Sequence, residues 1–290
     1  MPSIVPTVFG ANPEARFSLL IPTWNNLPYL KFCIASIRNN SRWPHQIILH
    51  INEGSDGTRD WAQEQKIDHT WSSENVGICY GVNAAAELAT TDYLVYLNDD
   101  MYVCPAWDHY MREAVKEAPD HRFYLSGTLI EPRDTGNNCV IFSDRFGDDI
   151  DSLDTKSLLA EYDQLPFADW TGATWPPSLI HKKMWELVGG LSVEFSPGMY
   201  SDPDLSMKLW QAGVRWFKGV SQCRMFHFMA KSTGRVKRND GRTQFMRKWG
   251  ISSNAFMRTY LQSGAPFTGP LPEPEENLSL KWARFRSRWA

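Results

Sequence analysis

Short apolar runs, each closing on a cluster of Asn, Asp, Gly or Pro, alternate with helically spaced apolar residues through the first hundred positions. Residues 17–21 form the first run, which ends in Pro22-Thr23-Trp24-Asn25-Asn26. Pro28 then sits where a first helical turn would begin, and Leu30, Ile34 and Ile37 follow at helical spacing. Residues 46–51 predict a second strand that runs into Asn52-Glu53-Gly54-Ser55-Asp56-Gly57-Thr58, a dense turn signal with a short helix after it. A shorter third strand is expected over 69–72, and Asn75-Val76-Gly77 opens a helix through Ala84-Ala85-Ala86-Glu87-Leu88. The fourth run, residues 93–97, leads straight into Asn98-Asp99-Asp100 and continues to Cys104, where Pro105 stops the strand. A continuous apolar run of this kind suits a strand covered on both faces. Strand and helix thus alternate four times, which predicts a parallel sheet with right-handed crossovers and a ligand edge at the strands' carboxyl ends.

Periodicity weakens downstream. A helix is expected from Pro105 to about residue 118, then a strand over 122–130. Residues 132–166 are rich in Asp, Gly and Asn and predict irregular excursions, and the segment from Trp170 to Pro177 is stiff and aromatic. Residues 181–188 suit a short helix closed by Gly189-Gly190. Residues 202–212 suit another, with Asp202 near its N-cap, Pro203 in its first turn and Gly213 beyond its end. A further strand is expected at 216–218. There is no internal repeat and no long low-complexity linker.

Composition narrows the class. At 290 residues, 42% apolar and 22% charged, the chain buries a substantial core as one large domain or two small ones. Thirteen Trp suit either core packing or stacking on sugars and bases. The net charge of −3 hides an asymmetry. Residues 1–204 carry 14 Lys and Arg against 29 Asp and Glu, a balance of −15, and residues 205–290 carry 16 against 4, a balance of +12. A basic last third suits an anionic partner such as phosphate, a membrane surface or nucleic acid; pairing between the two halves accounts for it equally well. Five scattered Cys without a Cys-x-x-Cys pair predict neither a disulfide framework nor a zinc site, and they fit a reducing compartment. With no secretory pattern at the N-terminus and no membrane-length apolar window, a cytoplasmic location is expected, at most peripheral on the inner face of a membrane.

Candidate chemistry concentrates at the strand ends. Two carboxylates and an amide at Asn98-Asp99-Asp100 can hold a hard divalent cation through oxygen, although the same residues also suit an ordinary polar turn. Taken alone, Asp202 fits a helix cap, and His227 fits a satisfied core histidine.

The order of five motifs changes that balance. Ile21-Pro22-Thr23-Trp24-Asn25, the 52–58 turn, Asn75-Val76-Gly77 with Asn83, Asn98-Asp99-Asp100, and Gly189-Gly190-Leu191 followed by Ser201-Asp202-Pro203-Asp204-Leu205 together resemble the family 2 glycosyltransferases. The resemblance covers about residues 16–250 and implies a GT-A α/β fold: a Rossmann-like, mostly parallel sheet flanked by helices. It also implies roles. Pro22, Thr23 and Asn25 would line the nucleotide pocket, Glu53 would contact base or ribose, and Asn75 and Gly77 would wall them. Asn98 takes the place of the first Asp of the Asp-x-Asp motif beside Asp99, and Asp100 that of the metal-binding last Asp. Asp202 would be the base and His227 a further metal or diphosphate contact, with Mn²⁺ or Mg²⁺ as the ion. Asn52, Asn98 and Ser201 each depart from an acidic residue of the pattern.

The implied organisation is a glycosyltransferase domain over 1–250, with a nucleotide-binding half at 16–104 and an acceptor-side half at 105–250. A basic extension over 251–290 follows, with a helical segment at 278–289 in which Leu278, Trp282, Phe285 and Trp289 recur at helical spacing among Lys and Arg. That segment suits an anionic membrane, a second subunit or the chain's own domain. The implied function is metal-dependent, inverting transfer from a nucleoside-diphosphate sugar to a glycan or lipid-linked acceptor, in glycan or polysaccharide biosynthesis. Transfer with retention, transfer to a modified nucleic acid and a degenerate sugar-nucleotide-binding scaffold stay open at this stage. A nucleotidyltransferase would want a Gly- and Arg/Lys-rich loop where this chain has Pro22-Thr23-Trp24-Asn25-Asn26.

Overall fold

The computed structural model describes residues 3–172, 174–229, 239–276, 280–282 and 284. The first half is β1 (Ile4–Thr7), β2 (Ser18–Trp24), α1 (Leu27–Asn40), β3 (Gln46–Asn52), α2 (Thr58–Glu64), β4 (Asp68–Ser72), α3 (Gly77–Ala86) and β5 (Tyr93–Tyr96). Then come β6 (Met101–Val103), α4 (Trp107–Glu117), β7 (Phe123–Glu131), β8 (Ile141–Phe142), α5 (Thr155–Glu161), β9 (Trp170–Thr171), β10 (Ser178–His181) and α6 (Lys182–Val188). A 3₁₀ turn at Val193–Phe195, α7 (Ser201–Gln211), β11 (Trp216–His227), α8 (Gly241–Trp249) and α9 (Ser253–Thr259) complete it.

One mixed sheet carries these elements, in the order β1-β4-β3-β2-β5-β10-β7-β11-β6. The segment β4-β3-β2-β5 is parallel throughout, as expected, and its order places the reversal of winding between β2 and β5. Ligands of open α/β sheets bind at such a reversal. Side-chain alternation explains the continuous apolar runs. Leu19 and Ile21 of β2 pack with Leu30, Cys33 and Ile34 of α1, whereas Leu20 packs with Cys79 and Val82 of α3 on the opposite face. Each fully buried Leu or Ile of this kind contributes about 2 kcal/mol. Pro22 is tolerated within β2 because the ladder to β5 has already ended at the Leu20 and Tyr96 pair, so no partner there lacks its N–H.

Three differences from the expected pattern shape the site. The run 93–104 is two strands rather than one: β5 ends at Tyr96, and β6 pairs antiparallel with β11 through Met101 opposite His227. The polar Asn98-Asp99-Asp100 breaks the first ladder, and Met101–Val103 finds a different partner. Next, β11 runs twelve residues to His227, where only 216–218 read as strand. Its Lys218 and Arg224 hid it, and both are buried: Lys218 reaches Glu117 and Asp169, and Arg224 reaches the carbonyls of Ser221 and Tyr162. Finally, β10 inserts antiparallel between β5 and β7, masked in the sequence by the prolines before it and the helix after it.

Ile251, Phe256, Leu261 and Leu271 are buried in the same core as α3 and α7. Leu280 of the basic tail joins that core, and the Arg284 guanidinium donates to the Tyr260 hydroxyl at 3.0 Å, while Trp282 is exposed. Leu278, Phe285, Trp289 and the basic run 231–238 lie outside the described residues. Among the described residues no helix is long and apolar enough to cross a membrane.

Candidate active site

Beyond the ends of β2 and β5 the Thr23 hydroxyl donates to Asp99 Oδ2 at 2.7 Å. Both groups are buried, so the bond fixes the Asn98–Asp100 turn against the end of β2. Asn98 contributes its carbonyl to the Cys33 thiol at 3.8 Å.

Asn25 and Glu53 face each other across the neighbouring loops, Asn25 Nδ2 donating to Glu53 Oε2 at 3.1 Å. Both have positive φ, 46° and 61°, a conformation non-glycine residues adopt at some cost and one that recurs at binding sites. The Ser55 N–H donates to Asn25 Oδ1 at 2.9 Å, and Trp71 Nε1 donates to the Glu53 carbonyl at 2.8 Å. Asp56 caps α1 from this loop, accepting the Leu27 N–H at 2.8 Å. The two loops therefore hold one another at the carboxyl edge.

Asn52 is buried and accepts the Val76 N–H at 2.8 Å, which ties the end of β3 to the start of α3. An amide there does structural work. Asn75 accepts the Gly77 N–H at 2.9 Å and forms the turn that opens the helix. Gly77 has φ +81°, and a Cβ on it would stand 2.5 Å from Ser196 Oγ and 2.6 Å from Pro197 Cα. The Ile78 N–H donates to the Pro197 carbonyl at 2.8 Å, and Ser196 Oγ donates to the Val76 carbonyl at 2.9 Å. Gly77 is thus pressed against the segment that leads into α7. Asn83 makes a second link, with Nδ2 donating to the Leu191 carbonyl at 2.7 Å and Oδ1 accepting the Leu191 N–H at 2.8 Å.

Those links set the position of α7. Its N-cap is Tyr200, with φ 71°, so Asp202 lies inside the first turn and is not the cap. The neighbouring carboxylate is fully committed. Asp204 is buried and accepts from Ser192 Oγ at 2.5 Å and Trp249 Nε1 at 2.8 Å, with Lys248 Nζ at 2.9 Å. Asp202 has part of its surface open, and burial of its carboxyl pushes the pKa up to about 7. Asp202 and Asp99 both bear on the buried phenol of Tyr96, so the two carboxylates share the carboxyl end of β5. Burial first, then these charges, hold the Tyr96 hydroxyl well above its usual range.

At the other side of the Asn98–Asp100 turn stands His227. Its Nε2 is 3.5 Å from Asp100 Oδ1, and its Nδ1 is 2.9 Å from Glu131 Oε1. Burial pulls the imidazole down, but the hydrogen bonds and charges of Asp100 and Glu131 outweigh it and hold the pKa at about 9. Among the described residues no three His, Cys, Asp or Glu side chains are set to enclose an ion by themselves. One carboxylate and one imidazole nitrogen side by side are nonetheless a suitable partial donor set, because Mg²⁺-type sites take one or two protein ligands and complete the shell with substrate phosphates and water.

Comparison with known proteins bears on the fold and on the type of protein the chain resembles. Residues 18–135 match glycosyl transferase family 2. The match covers that segment, about two fifths of the chain, and marks it as similar to that family. EpsH of Bacillus subtilis (strain 168), a protein named as a glycosyltransferase, is 27% identical over 124 residues, which are 41% of this chain and 35% of that protein. The chain therefore spans about a third of that relative's length. TarS (1–349) of S. aureus in complex with UDP-GlcNAc is 13% identical with a TM-score of 0.56, over 81% of this chain and 65% of that one. The mannosyltransferase PcManGT of Pyrobaculum calidifontis, in complex with GDP-Man and Mn²⁺, is 15% identical with a TM-score of 0.50, over 95% and 74%. At these identities the likeness is one of fold, and the fold is GT-A.

The family 2 segment ends near Glu131, and Glu131 is the site residue that sequence reasoning missed. Only its position at the end of an apolar run in a carboxyl-edge strand hinted at it.

Proposed function

We propose that the chain is a metal-dependent, inverting glycosyltransferase that uses a nucleoside-diphosphate sugar. The observation that carries this reading is the uncommitted carboxylate of Asp202. It bears with Asp99 on Tyr96 at the end of β5, has no hydrogen bond to its carboxylate among the described residues, and burial pushes its pKa up to about 7. A base poised near neutral pH suits removal of a hydroxyl proton.

In the reaction, an acceptor hydroxyl oxygen forms a bond to the sugar's anomeric carbon as the bond from that carbon to the diphosphate oxygen breaks. The electron pair leaves with the nucleoside diphosphate, and the acceptor proton passes to Asp202. Mn²⁺ or Mg²⁺, when bound, offsets the charge gathering on the diphosphate. Asp100 and His227 Nε2 would hold it, and Thr23 fixes the turn through Asp99. Asn25, Glu53 and Asn75 frame the nucleotide end of the site, with Pro22 at its wall. Gly77 and Asn83 serve α7: they join the nucleotide-side helix α3 to the segments that position Asp202.

The complexes of TarS with UDP-GlcNAc and of PcManGT with GDP-Man and Mn²⁺ support a sugar-nucleotide donor. The acceptor in this reading is a glycan or a lipid-linked glycan. The test is thermal unfolding with UDP and GDP, with and without Mn²⁺, for wild type and Asp100→Ala. A ligand at a hundred times its Kd adds about 2.7 kcal/mol, and the metal-dependent part of that shift should vanish in Asp100→Ala. No shift with either nucleotide overturns the donor site; an axial-for-axial anomeric product from an α-linked donor overturns inversion.

A further inference from the structure

Glu131 closes β7 and is buried, with 6% of its surface exposed. The parallel ladder between β7 and β11 is paired up to Ile130 and Phe226, so the next residues, Glu131 and His227, emerge together at the carboxyl edge. The backbone of Glu131 is fixed from the other side as well: it pairs with Phe142 of β8, and its carbonyl accepts the Ser143 N–H at 2.9 Å. Among the described residues the side chain of this buried carboxylate meets the Nδ1 of His227 at 2.9 Å. The opposite ring nitrogen faces Asp100 at 3.5 Å.

We propose that Glu131 is a positioning residue for the donor site: by accepting the Nδ1–H of His227 it fixes the ring plane and keeps a proton on Nδ1, so that Nε2 is the nitrogen turned towards Asp100 and the ion. The inference rests on the donor-site reading above and adds a residue to it. A carboxylate behind a ligating histidine orients the ring and raises its basicity, and its loss weakens metal binding by about 10–100-fold. The sheet makes this arrangement inexpensive in entropy, because strand ends rather than loops carry both partners. A wholly structural Glu131 would act on stability alone and leave the metal's affinity untouched.

The experiment titrates Mn²⁺ by electron paramagnetic resonance in the presence of UDP and of GDP, for wild type, Asp100→Ala, Glu131→Gln and Glu131→Asp. In parallel, ¹⁵N shifts of His227 report its tautomer with Mg²⁺ and nucleotide bound. The expected result is Mn²⁺ affinity about 10–100-fold weaker in Glu131→Gln, partly recovered in Glu131→Asp, with a Nδ1–H tautomer that is lost in the Gln variant. Wild-type affinity and tautomer in Glu131→Gln, alongside lost binding in Asp100→Ala, would overturn the role of Glu131 and leave the donor site standing. Absence of Mn²⁺ binding in wild type with either nucleotide overturns both. Should the Gln variant fail to fold, the Asp variant decides: an unchanged affinity and a mixed tautomer there count against positioning.

Discussion

Asp202→Asn separates catalysis from stability. The substitution keeps the shape of the side chain and removes its charge. In the folded chain burial raises the Asp202 carboxyl from 3.8 to about 7, and each unit of pKa is 1.36 kcal/mol, so the ionised form carries roughly 4 kcal/mol of unfavourable free energy. The fold therefore favours the protonated carboxyl over the ionised one. Relative to the Asn variant, wild type has its full stability below about pH 4, loses it as the pH rises towards 7, and levels off above that. At pH 5 the deficit is roughly 1.6 kcal/mol, and at pH 8 roughly 4 kcal/mol, by the same linkage. For a chain of this size the difference between the two pH values corresponds to roughly 5 °C in Tm. The assay is thermal and urea unfolding of both proteins at pH 5 and pH 8, with transfer measured on the same samples. The Asn variant should be the more stable protein, increasingly so at pH 8, and should lose transfer by a factor of about 10²–10⁴. In wild type, kcat/KM should fall tenfold per pH unit below about pH 7. Two stability curves that stay parallel between pH 5 and pH 8 would refute the raised pKa and with it the argument that Asp202 is held ready as a base.

Two further substitutions test the links between α3 and α7. Gly77→Ala places a methyl group against Ser196 and the Pro197 backbone at positive φ, and should cost roughly 2–4 kcal/mol in urea unfolding; an unchanged midpoint would mean the two segments do not touch as described. Asn83→Ala leaves the N–H and carbonyl of buried Leu191 without partners and should cost roughly 2–4 kcal/mol, whereas Asn83→Asp, which still accepts but cannot donate, should fall between it and wild type. Equal stability of the Ala and Asp variants would show that the accepted Leu191 N–H carries no weight.

The polar clusters at strand ends were legible because they obey local rules. Pro22, Asn25, Glu53, Asn75 and Asn98 each interrupt an apolar run, and a run of β-length ending in such residues marks a carboxyl edge wherever the sheet goes. The helices α1, α3, α4 and α7 were legible for the same reason, since the spacing of Leu30, Ile34 and Ile37 depends only on the helix's own period. What resisted was polarity inside the sheet. Lys218 and Arg224 made β11 look like a surface segment, and their carboxylate and carbonyl partners come from residues about 50 to 100 positions away or across a bulge.

The sequence by itself determined the alternation of strands and helices, the resemblance to family 2 and the identity of the chemically able side chains, because each is written in residues close together along the chain. Only the tertiary structure decided what those side chains do. Asp202 and Asp204 are two residues apart and look alike in sequence, yet Asp204 is held by Ser192, Lys248 and Trp249 while Asp202 has no hydrogen bond to its carboxylate among the described residues and burial raises its pKa. Asp100, Glu131 and His227 are separated by more than 25 residues each and meet because three strand ends share one edge. Burial and charge act through space, and distances through space are set by the packing of the sheet.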